Sequence, residues 1–326
     1  MKISITDLKE KIHNYLRNID VDDDNAVLLT ELVIEQLLVG NQFNPLDELS
    51  HKASHIQFKA TEEVVVDKPS AQLIKGNGKY APFITADHLS EAIGRAKTQG
   101  IYALGIYDST YNDFFAVFCR RIASENCIGI IVENGGPQGV VPFGGKKDVT
   151  GTNPIAYGIP THDNPIVFDA ATAMHAYGRI KQAKEKGELL PDNAFVDEDG
   201  NVTTDPNIAY AVLPFGGFKG FAINLLIDVL SGSLVRGKSG LDQPLDSQRF
   251  IGTFIIIIDP SCFGDLGIFL DSTTKLVKDI LAVPAINEGF PVRVPGIIGG
   301  KRMQDLTQLG SIDIDDEVWK RFSSGL

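Results

Sequence analysis

Cysteine is scarce in this chain, and its spacing organises nothing. Cys119, Cys127 and Cys262 are the three present. Their number is odd and no CxxC pair occurs, which fits a reducing, cytoplasmic setting better than a disulfide framework. No His–Cys cluster offers ligands for zinc, and no metal is expected. Positive charge is also short: 30 Lys and Arg stand against 42 Asp and Glu, a formal net charge of -12. A surface of that sign repels nucleic acid and anionic membranes, which leaves a small molecule as the expected partner. Apolar runs such as Phe254 to Ile258 are far too short to cross a bilayer. The start, MKISITDLKEKIHNYL, is amphipathic and charged and is no signal peptide. Two fingerprints are missing as well. Without GxGxxG there is no ordinary dinucleotide fold, and without GxSxG there is no nucleophile elbow.

What is present reads as an α/β protein of ordinary composition, 43% hydrophobic and 22% charged, whose 326 residues suggest two domains. Thr6 is placed to cap a helix with Leu8, Ile12, Tyr15 and Leu16 on one face. Asp22 to Asp24 lead a second helix, Asn25 to Val39, which Gly40 stops. Residues 41–58 read as irregular, and Glu62 to Asp67 and Ala71 to Ile74 as strands. From Thr85 helices and strands alternate. A helix capped by Thr85 runs to Gln99 and stops at Gly100, strand Ile101 to Tyr107 follows, then helix Tyr111 to Ser124 and strand Ile128 to Val132. Further on, the nearly all-apolar Phe221 to Leu234 predicts a buried helix, Gly252 to Asp259 a central strand, and Ser272 to Leu281 a closing helix. The alternation predicts a mixed sheet with helices packed on it. No linker or repeat interrupts it, so a second domain must share the chain by crossing back.

The stretch from Val140 to Ile180 concentrates the small residues. It holds a Gly-Gly turn (Gly144, Gly145), a Gly-Thr-Asn-Pro turn (Gly151 to Pro154) and a helix-like segment opening on Asp169, Ala170, Ala171, Thr172 and Ala173. Backbone this bare approaches something closely, and a helix start behind such a turn suits a phosphate. Tight turns in an α/β core are the plainer reading. Other motifs fail on context. Gly232 to Ser239 matches GxxxxGK[ST], but a helix runs into it and none clearly follows, which a phosphate-binding loop requires. DEDGNVTTD, residues 197–205, lacks the spacing of a calcium loop and reads as a solvated turn. Of the six histidines, His13 and His88 read as surface residues. His51 and His55 are four apart but have no third ligand nearby.

GTNPIAYGIP, PIVFDAATAMHAYGRI, LPDNAFVDEDGNVTTDP and LPFGGFKGFAINLLIDVLSG come in one order and spacing. On those four motifs the chain resembles the malate/L-lactate dehydrogenase-type (type 2) oxidoreductases, most strongly over residues 71–260. The resemblance implies a non-Rossmann nicotinamide-binding α/β domain over residues 71–259. It also implies a second domain, for substrate and dimerisation, from both chain ends (1–70 and 260–326), a homodimer, and NADPH or NADH as cofactor. By matching position the cofactor meets Phe168, Asp169, Ala170, Ala171, Thr172, Ala173 and Met174, then Lys219 and Gly220, then Pro295 and Gly296. Ile297 stands where the family usually has an acidic residue. Gly216 and Gly217 beside Lys219 point the same way, to close approach by a ligand.

The departures bear on mechanism. The family's Ser-His-Gly-x-x-Arg motif, with its proton-donor histidine and carboxylate-binding arginine, aligns without gaps on Phe43, Asn44, Pro45 and Glu48. Its second histidine falls on Tyr111. Sliding the first motif to Ser50-His51-Lys52 restores a Ser-His pair at the cost of a shorter loop after it. Reduction of a carbonyl needs a proton for the developing alkoxide. Asn44 has none to give, whereas Tyr111 has one if a cation lowers its pKa from about 10. A cyclic ketimine arrives already protonated, and a carboxylate such as Glu48 suits that cation. The expected function is therefore hydride transfer from NAD(P)H to the C=N of a cyclic ketimine carboxylate or the C=O of a 2-oxo acid, with the imine favoured. The catalytic candidates are Tyr111, Asn44, Glu48 and His51. The competing reading is a family member that has lost catalysis and serves as a binding or scaffold protein.

Overall fold

Seven strands of this chain form one mixed sheet, and a computed structural model shows how the helices dress it. It describes residues 1–40, 45–52, 60–136, 139–244, 250–287 and 289–324, with the side chains of residues 48 and 50–52 outside that description. A short first strand, β1 (Lys2–Ser4), runs directly into α1 (Ile5–Asn18). Ser4, not Thr6, is the cap. Its hydroxyl accepts the Asp7 N–H at 3.0 Å while its own backbone is still extended, and Thr6 is already helical. Leu8, Ile12, Tyr15 and Leu16 are buried as their spacing predicts. Asp22 caps α2 (Asp23–Val39), and Gly40 ends it with φ +81°, a conformation that favours glycine. The expectation of irregular chain over 41–58 fails in part, because Pro45–Lys52 forms a helix, α3. Proline is at home in the first turn, where no N–H is required, and Leu46 and Leu49 are buried.

Strands β2 (Glu63–Lys68) and β3 (Ala71–Lys75) form an antiparallel pair at one edge of the sheet. Next, α4 (Ala81–Gln99) opens one turn earlier than its sequence suggests, with Pro82 in the first turn. Thr85 is therefore no cap but a fully buried residue whose hydroxyl accepts the Asn112 side-chain N–H at 2.9 Å. Strand β4 (Ile101–Ser109) follows, then α5 (Phe115–Ser124) and β5 (Ile128–Glu133). The helix expected from Tyr111 starts only at Phe115, because Glu133 takes the Asn112 N–H at 2.9 Å and holds that residue in a loop. Strands β6 (Ile155–Ile159) and β7 (Ile166–Ala170) complete the other side. After α6 (Arg179–Lys186), the short pair β8 (Phe195–Val196) and β9 (Ala211–Val212), and α7 (Phe218–Asp228), strand β10 (Ile251–Ile258) enters the centre. The order across the sheet is β2-β3-β4-β10-β5-β6-β7, and only β3 and β4 run parallel as neighbours.

One sheet face is packed by α4 and α5, so closely that a Cβ on Gly158 would lie 2.2 Å from the Cys119 carbonyl oxygen. The chain then closes with α8 (Leu266–Leu281), α9 (Ile297–Leu309), β11 (Ser311–Asp313) and α10 (Asp316–Ser323). The two chain ends meet. Strand β1 pairs antiparallel with β11, α2 packs on α9, and Arg321 of α10 grips Asp47 of α3 at 2.7 and 2.8 Å.

The expected buried helix at Phe221 to Leu234 is the clearest correction. α7 starts at Phe218, gives way to a wider π turn over Val229–Ser233, and turns its polar side inward. Gly220, Asn224, Ile227 and Asp228 are buried, whereas Phe218, Leu225 and Leu226 are 64%, 50% and 55% exposed. Positions 220, 224, 227 and 228 share one helical face, and that face meets a polar cluster at the end of the sheet.

Candidate active site at one end of the sheet

Strands β4, β5 and β7 all run in one direction, because β10 opposes both β4 and β5, and β6 opposes both β5 and β7. Their C-terminal ends therefore open at the same end of the sheet, where β10 and β6 begin. Crevices beyond strand ends are where open α/β sheets bind ligands. Tyr111 follows β4 there. Glycines Gly135 and Gly136 follow β5, and Gly136, at φ +111°, admits the Tyr111 hydroxyl so closely that a Cβ would lie 2.6 Å from it. Gly151, ahead of β6, leaves no room for a side chain against Gly135, whose carbonyl carbon a Cβ would approach to 2.5 Å. The sequence signal of close backbone approach is real at these positions. At Gly144 and Gly145 it marks only an exposed turn, closed by Gly145 N–H on the Pro142 carbonyl at 2.8 Å.

No helix begins at Asp169 to Thr172. Asp169 and Ala170 end strand β7, paired with Ala156 and Ile155, and Thr172 donates its N–H to the Thr152 carbonyl at 2.9 Å. Ala173 bridges to Pro214, and Met174 donates to Leu213 at 2.9 Å. Those backbone groups are committed to extended pairing, so the next helix waits until Arg179. The helix starts that face this region belong to other elements. Phe215 N–H donates to the Thr172 carbonyl at 3.1 Å, and α7 begins three residues later with Lys219 in its first turn. On the opposite flank, Val167 N–H donates to the Pro295 carbonyl at 3.2 Å, and a Cβ on Gly296 would lie 2.5 Å from the Val167 nitrogen. Glycines precede both α7 and α9 and supply no capping side chain, although the first N–H of α9, that of Ile297, donates to the Val294 carbonyl at 3.3 Å. The residues from Phe168 to Met174 thus form a ridge that runs from the Pro295–Gly296 turn, beside Val167, to the segment that leads into α7, beside Thr172. Gly220 itself is fixed by the chain, since a Cβ there would meet the Phe215 carbonyl oxygen at 1.6 Å.

Asp169 accepts the Ala116 N–H, at the start of α5, at 3.3 Å. Its side chain is open to solvent, and the surrounding protein raises its carboxyl only against the opposing pull of the Ala116 N–H. Beneath the ridge lies a cluster of side chains that sequence reasoning missed. Asn224 of α7 donates to the Gly151 carbonyl at 3.0 Å and the Thr172 hydroxyl at 2.9 Å, and accepts from the Thr150 hydroxyl at 2.7 Å. Asn153 accepts the Gly135 N–H at 2.9 Å and donates to Asp228 at 3.3 Å. Burial raises the Asp228 carboxyl, while Asn153 and the Gly240 N–H lower it. One signal was available: an asparagine inside the apolar run FAINLLID is costly unless its amide is fully bonded.

The catalytic candidates divide. Tyr111 is at the right end of the sheet. Asn44 lies outside the described residues, and Glu48 and His51 lie on α3, whose chain position is described but not those side chains. His55 also lies outside. The remaining histidines have structural occupations. His13 faces Asp23 at 3.2 Å, His88 lies 3.8 Å from Glu62, His162 meets Asp271 at 2.9 Å, and His175 stacks on Phe195. His88 is thus largely buried rather than on the surface. Among the described residues no group of three or more His, Cys, Asp or Glu could hold a metal, and no helix is long and apolar enough to cross a membrane. The loop Gly232 to Ser239 folds on itself, with Gly237 N–H on the Gly232 carbonyl at 2.8 Å, and only a three-residue turn follows it. Residues 197–205 close on Asp197, which accepts N–H groups from Asp199 and Asn201.

The malate/L-lactate dehydrogenase family model matches residues 3–323. The malate/(S)-sulfolactate dehydrogenase of Methanothermus fervidus is 31% identical over 307 residues, 91% of this chain and 89% of that protein. A Pseudomonas putida reductase of Δ1-pyrroline-2-carboxylate and Δ1-piperideine-2-carboxylate is 35% identical over 202 residues, 59% of this chain and 58% of its own. Among solved structures, Δ1-piperideine-2-carboxylate reductase of Pseudomonas syringae pvar. tomato superposes with a TM-score of 0.85 at 25% identity, covering all of both chains.

Replacing Asn224 with alanine strands the Thr150 hydroxyl and the Gly151 carbonyl, while the Thr172 hydroxyl keeps its bonds to the Thr152 and Asn153 carbonyls. The expected cost is about 2–4 kcal/mol of folding stability, read from urea denaturation midpoints. A midpoint equal to wild type would show that the cluster carries no such weight.

Proposed function

The chain belongs to the malate/L-lactate dehydrogenase family, and from that premise we propose how its site works. It is an NAD(P)-dependent oxidoreductase that moves hydride between the cofactor and the carbon of a 2-oxo acid C=O or a cyclic ketimine carboxylate C=N. We favour the imine. The higher identity to the imine reductase over the shorter span supports that choice, as does the replacement of the family's proton-donor positions by Asn44 and Tyr111. An iminium needs no proton from the enzyme as hydride arrives, so the lost histidines matter less for it than for a ketone.

The observation that carries the cofactor assignment is the ridge. The Pro295–Gly296 turn borders β7 near its start at Val167, and the segment leading into α7 borders the chain just after β7 at Thr172, so the starts of two helices flank the same extended segment. A dinucleotide's phosphates find there the N–H groups and the ammonium they require. The bound nicotinamide supplies the hydride. Phe168 to Met174, Lys219 and Gly220 are the residues that would hold it. Tyr111, across the sheet end, orients the reacting nitrogen or oxygen, and Glu48 or His51 completes the substrate side. A cofactor ridge with this much of its backbone built has no use in a catalytically silent protein, and each relative named above carries the name of an enzyme.

Residues 71–259 serve in this reading as the nicotinamide-binding domain, and 1–70 with 260–326 as the substrate and dimerisation domain. The single parallel neighbour pair in the sheet supports a non-Rossmann arrangement. The outward apolar residues of α7, and those of α8 such as Ile268 and Leu276, support a homodimer. The three unpaired cysteines support a cytoplasmic setting.

Lys219→Ala is expected to weaken NADPH or NADH binding about tenfold in a nicotinamide fluorescence titration, and whichever coenzyme wild type binds more tightly is its cofactor. Binding indifferent to that change removes Lys219 from the site, and no binding of either coenzyme overturns the reading. Tyr111→Phe is expected to lower turnover of Δ1-piperideine-2-carboxylate at least about tenfold, and unchanged turnover excludes a role for its hydroxyl. Sedimentation velocity should return twice the mass of one chain, and a monomer would end the dimer proposal.

A further inference from the structure

Away from the sheet end, α1, α2, α5 and α9 line an open cleft of about 650 Å³ that no part of the proposed reaction uses. Its floor is apolar. Ile34 and Leu38 of α2 are buried there, and Met303 of α9 packs against the core beside them. Its walls carry both signs of charge. Glu31 and Glu35 stand one turn apart on α2, while Lys9 of α1 and Arg121 of α5 supply the positive side. Arg121 lies 3.9 Å from Glu31, too far for a hydrogen bond, and both are reached by solvent. Glu35 is held from outside the lining by Arg120 at 3.1 Å, but the two groups are out of line. The facing Oε1 and Nε, and Arg120 Nη1, are buried without a hydrogen bond. Burial pushes the Glu35 carboxyl up, and the two guanidiniums pull against that. Such a pair is under-satisfied, and a cation brought beside Glu35 would improve its position.

A simple anion would meet the two carboxylates, and a simple cation the two bases. An apolar molecule would leave Lys9 and the long, solvent-reached Glu31–Arg121 pair unanswered. The chemistry that answers each wall is a zwitterion with an apolar body, and the volume lies within the range of small-molecule sites. We propose that this cleft binds a free α-amino acid with a large apolar side chain. Its ammonium faces Glu31 and Glu35, its carboxylate faces Arg121 and Lys9, and its side chain rests on Ile34, Leu38 and Met303.

The position gives the guest a hold on the active site. α9 begins at Gly296, against β7. α5 begins with the N–H that Asp169 accepts. α2 ends in the carbonyls of Leu37 and Leu38, both taken by Arg302 of α9, immediately before residues 41–44. An amino acid that draws these helices together therefore changes cofactor affinity, and the cofactor changes amino-acid affinity by the same factor.

The test is calorimetric titration of the full chain with L-leucine and L-phenylalanine, alone and with saturating NADPH or NADH. It needs no turnover, so its failure leaves the oxidoreductase reading intact. Saturable binding of at least one of the two is expected. For the amino acid that binds, the matching amine and the matching carboxylic acid should bind at least about tenfold more weakly. Arg121→Gln should weaken the amino acid by a similar factor and leave coenzyme binding without amino acid as in wild type. Absence of saturable heat with both amino acids up to roughly 10 mM, equal binding of the amine, or an Arg121→Gln protein that binds like wild type would each overturn the proposal.

Discussion

The side-chain amide of Asn224 is the tie on which the active end of this molecule depends. It joins three segments distant in sequence: the Gly-Thr-Asn-Pro turn before β6, the extended segment after β7, and the helix that presents Lys219. A buried amide with every partner satisfied is rigid, because any displacement leaves a donor or acceptor without water to replace the lost bond. Asn153, Thr172 and Asp228 extend the tie. The inverted burial of α7 follows directly. Its polar face is its inward face because that is where its bonds are, and its apolar residues are left on the outside.

Much of the fold was legible because periodicity and stop signals act locally. Gly40 and Gly100 end α2 and α4 where the sequence marks them, since a positive φ at those positions favours glycine. The central position of the Ile-rich β10 was legible from its continuous apolar run. Starts of helices were less legible. Thr6, Thr85 and Tyr111 each belong to a plausible opening, yet the actual starts were chosen by an earlier serine, a proline in the first turn and the long-range grip of Glu133 on Asn112. The segment after Phe168 failed for a similar reason. Its alanines suit a helix, but pairing with Thr152, Leu213 and Pro214 claims its backbone, and those partners come from remote chain. Family resemblance supplied a proposed set of site residues. Their arrangement was not readable, because Phe215 and Pro295 meet the β7 segment only through tertiary contacts.

The chemistry of the site turns on where protons come from. Four histidines are engaged elsewhere, with Asp23, Glu62, Asp271 and Phe195, so the described part of the chain offers hydroxyl and carboxyl groups instead. Asp169, open to solvent at the end of β7, has its carboxyl raised by the surrounding protein against the pull of the Ala116 N–H.

Strand β10 carries a consequence for how the sheet is made. It separates β4 from β5, yet it follows β5 by more than a hundred residues of chain. As the polypeptide leaves the ribosome, β4 and β5 emerge with unpaired edges facing a gap that nothing can yet fill. Open edges of apolar strands invite pairing with other chains. The middle of this sheet is the last part of it to be synthesised, so its assembly rests on a long-range closure. That topology favours slow folding and gives chaperones that shield nascent edges a defined interval in which to act.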